Sequence, residues 1–311
     1  MARRKQGRIK VVSIVGPTAA GKSMIAMELA RRLGGEIISA DSMQVYRHMD
    51  IGTAKPSLKD RSEIPHHLID VANPDEDYNA ARFRQDALKA TELIAGRGKR
   101  IILAGGTGLY VRAFLSGIFE GPGKDSLLRE RLEKEAAVHG KSYLYDRLSE
   151  VDPVSAKRIH PNHISRITRA LEVYYSTGRP ISEFQSEHGF AEDRFEALKF
   201  GVIKTRNELY DAIEQRVQAM MRDGLLKETE TLLSLGYGPG LKSMRSLGYK
   251  EMTGHIEGRL TLDEAISELK KNTRNYAKRQ ITWFKKDKDV KWFFPEDLPA
   301  ITETVKEFFT R

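Results

Sequence analysis

The residues Gly16-Pro17-Thr18-Ala19-Ala20-Gly21-Lys22-Ser23 fill every fixed position of the phosphate-loop pattern G-x-x-x-x-G-K-S/T. Each residue type has a task there. Glycines let backbone N–H groups turn inward around phosphate oxygens, Lys22 brings a full positive charge, and the Ser23 hydroxyl can ligate Mg²⁺. Nucleotides and other diphosphates are equally good guests for such a loop. Two more polar loops follow short apolar runs: Asp41-Ser42-Met43-Gln44 and Gly105-Gly106-Thr107-Gly108. An aspartate after a strand is commonly a helix cap, yet beside a phosphate site its carboxylate can also take a proton. The glycines allow close backbone approach, and Thr107 can donate or accept a hydrogen bond.

These loops act together only if the chain places them on one edge. Lys10 to Val15 reads as a β-branched strand, and Ser23 to Leu33 as a helix with Ile25, Leu29 and Leu33 on one side. Glu36 to Ala40 and Arg100 to Ala104 are further strands, the latter preceded by a helix over Ala80 to Ile94. Strands alternating with helices predict a parallel sheet, whose strands all deliver their carboxyl ends to the phosphate-loop edge. From Ile118 to Ala197 strand-like runs vanish, and charged helices such as Ser126 to Val138 and Ile164 to Ser176 take over. Phe200 to Ile203 restarts the sheet, followed by a helix with Leu209, Ile213, Val217 and Met220 at helical spacing. A long helix over Leu262 to Lys285 carries Ile266, Leu269, Thr273, Tyr276, Gln280 and Trp283 on one side. Lys271, Arg274, Lys278 and Lys285 recur opposite them, a face suited to phosphates. Trp283, Phe284, Trp292, Phe293 and Phe294 are expected to be core aromatics. The expected class is α/β: a P-loop NTPase-like parallel sheet flanked by helices over 1–117 and 200–311, with a mostly helical insertion over 118–199.

The 311 residues carry 52 Lys plus Arg against 43 Asp plus Glu, a formal charge of +9 that favours polyanionic partners. No stretch approaches the roughly 20 apolar residues of a membrane span. Arg3, Arg4, Lys5, Arg8 and Lys10 precede only a short apolar run, so no export signal is expected. With no cysteine there is no disulfide, thiolate nucleophile or Cys-ligated zinc, as suits a cytoplasmic protein. His66-His67 and the other histidines suggest no structural metal site.

Several stretches, in order along most of the chain, resemble the tRNA dimethylallyltransferases. They are GPTAAGKS, ADSMQVYRHMDIGTAKP, PHHLID, AGGTGLY, RALEVYYSTGRP, Ile213-Glu214-Gln215-Arg216 and Ala277-Lys278-Arg279-Gln280-Ile281-Thr282-Trp283-Phe284. Enzymes of that family transfer a dimethylallyl group from dimethylallyl diphosphate to N6 of the adenosine 3′ of the anticodon, with Mg²⁺. The resemblance implies that Gly16 to Ser23 grip the donor diphosphate, with Ser23 on Mg²⁺, and that Asp41 is the general base. Thr107 then contacts the tRNA at the reactive centre and Arg216 serves donor use. Further contacts to the anticodon stem-loop are implied for Asp41, Ser42, Met43 and Gln44; for Arg129, Ser165, Arg166, Ile167, Thr168 and Arg169; and for Lys278, Arg279, Gln280 and Lys285. Lack of cysteine matches the shorter bacterial form without a zinc finger. No membrane partner is expected, and a monomer is.

Two other classes compete. A small-molecule kinase shares strand, loop and helix but has no use for the DSMQVYR and GGTGLY loops or the basic terminal helix. A non-catalytic RNA-binding module explains the charge but leaves a complete phosphate loop without a purpose.

Overall fold

The computed structural model describes residues 8–119, 121–189 and 194–311. Arg3, Arg4 and Lys5 of the basic amino end lie outside them. The described residues form two compact units, one within Met1–Leu115 and Asp193–Arg311, the other within Ser116–Glu192.

The first unit opens with β1 (Ile9–Val15), α1 (Lys22–Leu33), β2 (Gly35–Ser39), α2 (Leu58–Glu63), β3 (His66–His67), α3 (Ala80–Gly96), β4 (Arg100–Gly105) and α4 (Gly108–Ser116). The second unit holds α5 (Ser126–His139), α6 (Lys141–Val151), α7 (Pro153–Arg158), α8 (Ile164–Thr177) and α9 (Ile181–His188). The chain then adds β5 (Phe195–Val202), α10 (Arg206–Asp223), α11 (Leu225–Ser234), α12 (Tyr249–Ile256), α13 (Leu262–Phe284), β6 (Lys291–Phe293) and α14 (Leu298–Thr310).

All six strands pair in parallel, in the order β3-β2-β4-β1-β5-β6. Val11, Val12, Ile14 and Val15 of the central β1 are buried, as a strand covered on both faces requires. Against one face lie Ile25, Ala26, Leu29 and Ala30 of α1, with Ile213 of α10, Ala277 of α13 and Ile301 of α14 in the same cluster. Gly34, in the left-handed region at φ 65°, ends α1 and turns the chain directly into β2. Thr205 with Glu208 and Thr261 with Glu264 form capping boxes that start α10 and α13. No helix among the described residues is long and apolar enough to cross a membrane.

The structure revises three expectations. Strand β5 starts at Phe195, earlier than the apolar run from Phe200, because Glu196 and Lys199 interrupt the run without interrupting the pairing of Ile9–Val15 with Phe195–Gly201. Lys199 is accommodated by Asp287, 2.8 Å away. The short edge strands β3 and β6 carry too few residues for any periodicity. On α13 the buried stripe is Ala265, Leu269, Thr273, Ala277, Gln280 and Phe284, rotated from the expected one toward the small alanines, which permit close helix approach. Trp283, expected in the core, is 37% exposed and lies against Gly108; Phe294 is exposed as well. Phe284 is buried, Phe293 packs on Phe200, and Trp292 covers Gly201.

Candidate active site

The carboxyl ends of β1, β2 and β4 deliver the three polar loops to one edge of the sheet, where backbone hydrogen bonds knit them together. Ala40 N–H donates to Ala104 O at 2.8 Å, and Thr107 N–H donates to Ala40 O at 3.1 Å. Ser42 N–H donates to Thr107 Oγ1 at 2.9 Å. Gly16, at φ 138°, passes so close to β5 that a Cβ would fall 2.3 Å from Val202 O. Gln280 of α13 ties the edge to the last long helix: its Oε1 accepts from Thr18 N–H at 2.8 Å and its Nε2 donates to Gly106 O at 2.9 Å. Gly106 is needed for that contact, since a Cβ there would lie 2.1 Å from Gln280 Nε2.

Above this edge opens a cavity of about 450 Å³ within the first unit. Thr18, Lys22 and Ser23 line it from the phosphate loop, Asp41 to Gln44 from the loop after β2, and Gly105 and Gly106 from that after β4. Arg216 enters from α10, and Tyr276, Arg279 and Gln280 from α13. Lys22 donates to Pro17 O at 2.7 Å and has no carboxylate partner among the described residues. Burial, reinforced by the Arg216 charge and opposed by Asp41, brings the Lys22 ammonium down to about 8. Arg216 makes no ion pair among the described residues, and burial lowers it too. Cations half-withdrawn from water without an anion are costly, and a bound anion relieves that cost.

Asp41 combines both readings open to it. Its Oδ1 accepts from Met43 N–H at 2.9 Å and, longer, from Gln44 N–H at 3.4 Å, the capping role. Its Oδ2 has no hydrogen-bond partner among the described residues and belongs to the cavity wall. Burial, then the Asp41 charge, pushes the Tyr276 phenol well above its ordinary range, so it stays protonated as a donor. The Ser23 hydroxyl is exposed at the first turn of α1 and has no partner among the described residues.

The residues expected to meet RNA fall into several groups. Asp41, Ser42, Met43 and Gln44 line the cavity, though Gln44 also holds its own loop, accepting from Ser39 Oγ at 2.8 Å and donating to Ala54 O at 3.2 Å. Thr107 sits on the knitted edge, engaged with Ser42. Gln280 is buried as the clamp described above, not turned outward as the basic face of its helix is. In the second unit, Arg129 and Arg169 grip the buried Glu172 at 2.8 and 2.6 Å. Burial favours the neutral acid, but the arginine hydrogen bonds outweigh it and hold the Glu172 carboxyl down at about 2. Ser165 and Arg166 are exposed, whereas Ile167 and Thr168 are buried, with Ile167 in the hydrophobic cluster of that unit. On α13, Lys271 pairs with Glu268 and Arg274 with Glu214, leaving Lys278, Arg279 and Lys285 exposed with no carboxylate partner among the described residues.

One lining segment escaped the sequence reading. Arg245, Ser246, Leu247, Lys250 and Glu251 belong to Ser-Met-Arg-Ser-Leu-Gly-Tyr-Lys-Glu, whose only local signal is two cations flanking Gly-Tyr. Gly52, Thr53 and Ala54 also line the cavity, held from behind by Glu228. The Glu228 carboxylate accepts from the N–H groups of Asp50, Ile51 and Gly52 and from the Tyr249 hydroxyl.

Comparison with known proteins places this geometry among relatives. The family described as IPP transferase matches residues 44–287. A protein of Geotalea uraniireducens named tRNA dimethylallyltransferase 2 is 52% identical over 305 residues, 98% of each chain. The crystal structure of the tRNA isopentenylpyrophosphate transferase of Bacillus halodurans is similar at 40% identity and a TM-score of 0.71, covering 96% of each chain. A eukaryotic dimethylallyltransferase described as acting on tRNA is similar at 28% identity and a TM-score of 0.81, over 97% of this chain and 80% of that one.

Proposed function

The chain belongs to the IPP transferase family, and from that premise we propose that it works as a tRNA dimethylallyltransferase whose cavity joins an allylic diphosphate to an adenine. The donor is dimethylallyl diphosphate and the acceptor is N6 of the adenosine 3′ of the anticodon. One observation carries the reading: a single cavity gathers two cations, Lys22 and Arg216, beside the Asp41 carboxylate, and among the described residues neither cation has an ion pair and Asp41 Oδ2 has no hydrogen-bond partner. A diphosphate matches the cations and an amine losing a proton matches the carboxylate.

The N6 lone pair is delocalised into the purine ring and is a weak nucleophile. It attacks the allylic C1, the N–C bond forms as the C1–O bond breaks, and diphosphate departs with the bonding electrons. Asp41 Oδ2 takes the N6 proton, while Met43 N–H on Oδ1 keeps the carboxylate aimed. Lys22, Arg216 and the N–H groups of the phosphate loop meet the charge that grows on the leaving group, so they hold the transition state more tightly than the donor. For Mg²⁺ the fitting group is the exposed, unpartnered Ser23 hydroxyl, because Mg²⁺ takes its other oxygens from substrate phosphates and water. Bound there, the ion would neutralise charge on the diphosphate. Adenine must leave the loop stack to reach Asp41, as enzymes acting on a base require. The exposed Lys278, Arg279 and Lys285 then meet RNA phosphates. Such an enzyme works in the cytoplasm with its tRNA, as a monomer.

The deciding experiment incubates the protein with unmodified tRNA and Mg²⁺, adding dimethylallyl diphosphate to one sample and ATP to another, then digests the RNA for nucleoside mass analysis. Prenyl-adenosine is expected in the first only. An unmodified first sample, with ATP consumed on a small acceptor in the second, establishes the kinase instead.

A further inference from the structure

Glu228, in the first turn of α11, stands behind the cavity wall, and four donors converge on its carboxylate. Three are the successive N–H groups of Asp50, Ile51 and Gly52, at 2.9, 2.9 and 3.1 Å. Consecutive N–H groups turned toward one point make a seat for an anion, and here the chain fills it with its own carboxylate. The fourth is the hydroxyl of the fully buried Tyr249, 2.6 Å from Oε1. Burial first, then the Glu228 charge, keeps that phenol protonated and so a donor. Its ring packs on the turn as well, since a Cβ at Gly52 would fall 2.5 Å from Tyr249 Cε2.

The turn held in this way reaches the site from its far side. Gly52, Thr53 and Ala54 line the cavity, and the carbonyls of Thr53 and Ala54 accept from Gln44 Nε2 at 3.3 and 3.2 Å. Ala54 sits in the left-handed region at φ 46°, a conformation that an alanine keeps only when its surroundings impose it. Gln44 Oε1 accepts from Ser39 Oγ at 2.8 Å, so the amide is fixed at both ends. The N–H groups of Met43 and Gln44 then reach Asp41 Oδ1.

Resting on the prenyl transfer proposed above, we infer that Glu228 is a positioning residue for that reaction: its carboxylate fixes the turn at 50–52, the carbonyls that follow fix Gln44, and Gln44 fixes the loop that aims Asp41. Glutamine at 228 would bring one acceptor oxygen to the same donors and turn an NH2 group toward the rest, which frees the turn. A misplacement of about 1 Å, passed on from outside the site, can cost on the order of 10²-fold in rate. Lys22 and Arg216 come from the phosphate loop and α10, which this path does not cross, so the grip on the donor diphosphate stays.

The test measures prenylation of unmodified tRNA by the wild type, Glu228→Gln, Gln44→Ala and the double variant, with each rate taken per folded molecule as counted from the thermal unfolding curve. Glu228→Gln should lower kcat about ten-fold and leave KM for dimethylallyl diphosphate within about two-fold of the wild type. Added to Gln44→Ala, the same change should cost at most about a further two-fold, because the path is already cut. A staple that serves stability alone gives a different record: fewer folded molecules, each with the wild-type kcat. That record overturns the inference, as does a double variant about ten-fold slower than Gln44→Ala. Should Glu228→Gln fail to fold, Tyr249→Phe removes one donor from the carboxylate and keeps the ring. It should lower kcat about three-fold at unchanged donor KM, and a wild-type kcat there counts equally against the inference. A wild type that prenylates no tRNA overturns the proposed function itself, whereas the other adverse outcomes, read beside an active wild type, overturn the positioning role alone.

Discussion

Two sets of partly buried cations in this protein are treated in opposite ways. In the insertion, Arg129 and Arg169 close on Glu172, and Asp125 N–H also donates to it, so the charges are matched within the protein. In the α/β unit, Lys22 and Arg216 face a cavity with no carboxylate in contact among the described residues, and burial lowers both. Matched cations are framework, and unmatched ones hold energy that only a ligand's negative charge releases. Charge composition cannot tell the two apart.

The largest effect expected is on chemistry. Asp41→Asn keeps the Oδ1 cap to Met43 but cannot take the N6 proton, so the single-turnover rate should fall about 10²-fold or more while tRNA affinity stays. A near-wild-type rate would remove the base from the mechanism.

The framework side of the comparison is tested by Glu172→Gln, which leaves two arginines without their anion. Loss of one partner from a buried pair costs about 3–5 kcal/mol, read here as faster amide exchange in α5 and α8. The same pairing predicts an acid response. The Glu172 carboxyl sits at about 2 in the fold against its ordinary 4.5. Its stabilisation is therefore complete above 4.5 and is lost as pH falls from there toward 2. Protection in α8 that holds unchanged across that window would contradict the pair's role.

Arg216→Met should do the reverse of Glu172→Gln. Stability should hold or rise, because an unmatched cation has gone, while kcat/KM for the donor falls roughly 10²-fold with the loss of one charged donor to the leaving group. If Arg216→Met unfolds the protein as readily as Glu172→Gln, the distinction between ligand cations and framework cations fails.

The smallest effect belongs to the exposed basic face. Lys278→Ala should flatten the log–log dependence of tRNA affinity on salt by roughly 0.7–0.9, one phosphate contact. Lys271→Ala, whose charge is spent on Glu268, should change the slope little. A wild-type slope in Lys278→Ala would show that this face does not touch RNA.

Much of the fold was legible because its signals are contiguous. Strand, phosphate loop and helix from Ile9 to Leu33 form one stretch with glycines at its turns, and the apolar runs of β2 and β4 are unbroken. β5 was only half legible, since Glu196 and Lys199 hide its first residues and Asp287, distant in sequence, answers for Lys199. Ile167 and Thr168 show the same limit on a helix. Residues adjacent to exposed Ser165 and Arg166 turn inward, and the sequence pattern there does not say which side meets the insertion's core.

By itself, then, the sequence determined which loop can hold phosphate and which carboxylate can follow a strand at the same edge. Those properties belong to single loops, where local geometry and residue type suffice. Tertiary structure alone decided that Gln280 clamps Thr18 to Gly106, that Arg216 shares a cavity with Lys22, and that Ser246 and Leu247 complete its wall. Each of these depends on α10, α12 and α13 packing over the sheet edge. A helix's own sequence offers several nearly equivalent faces, and only burial against a distant partner chooses among them.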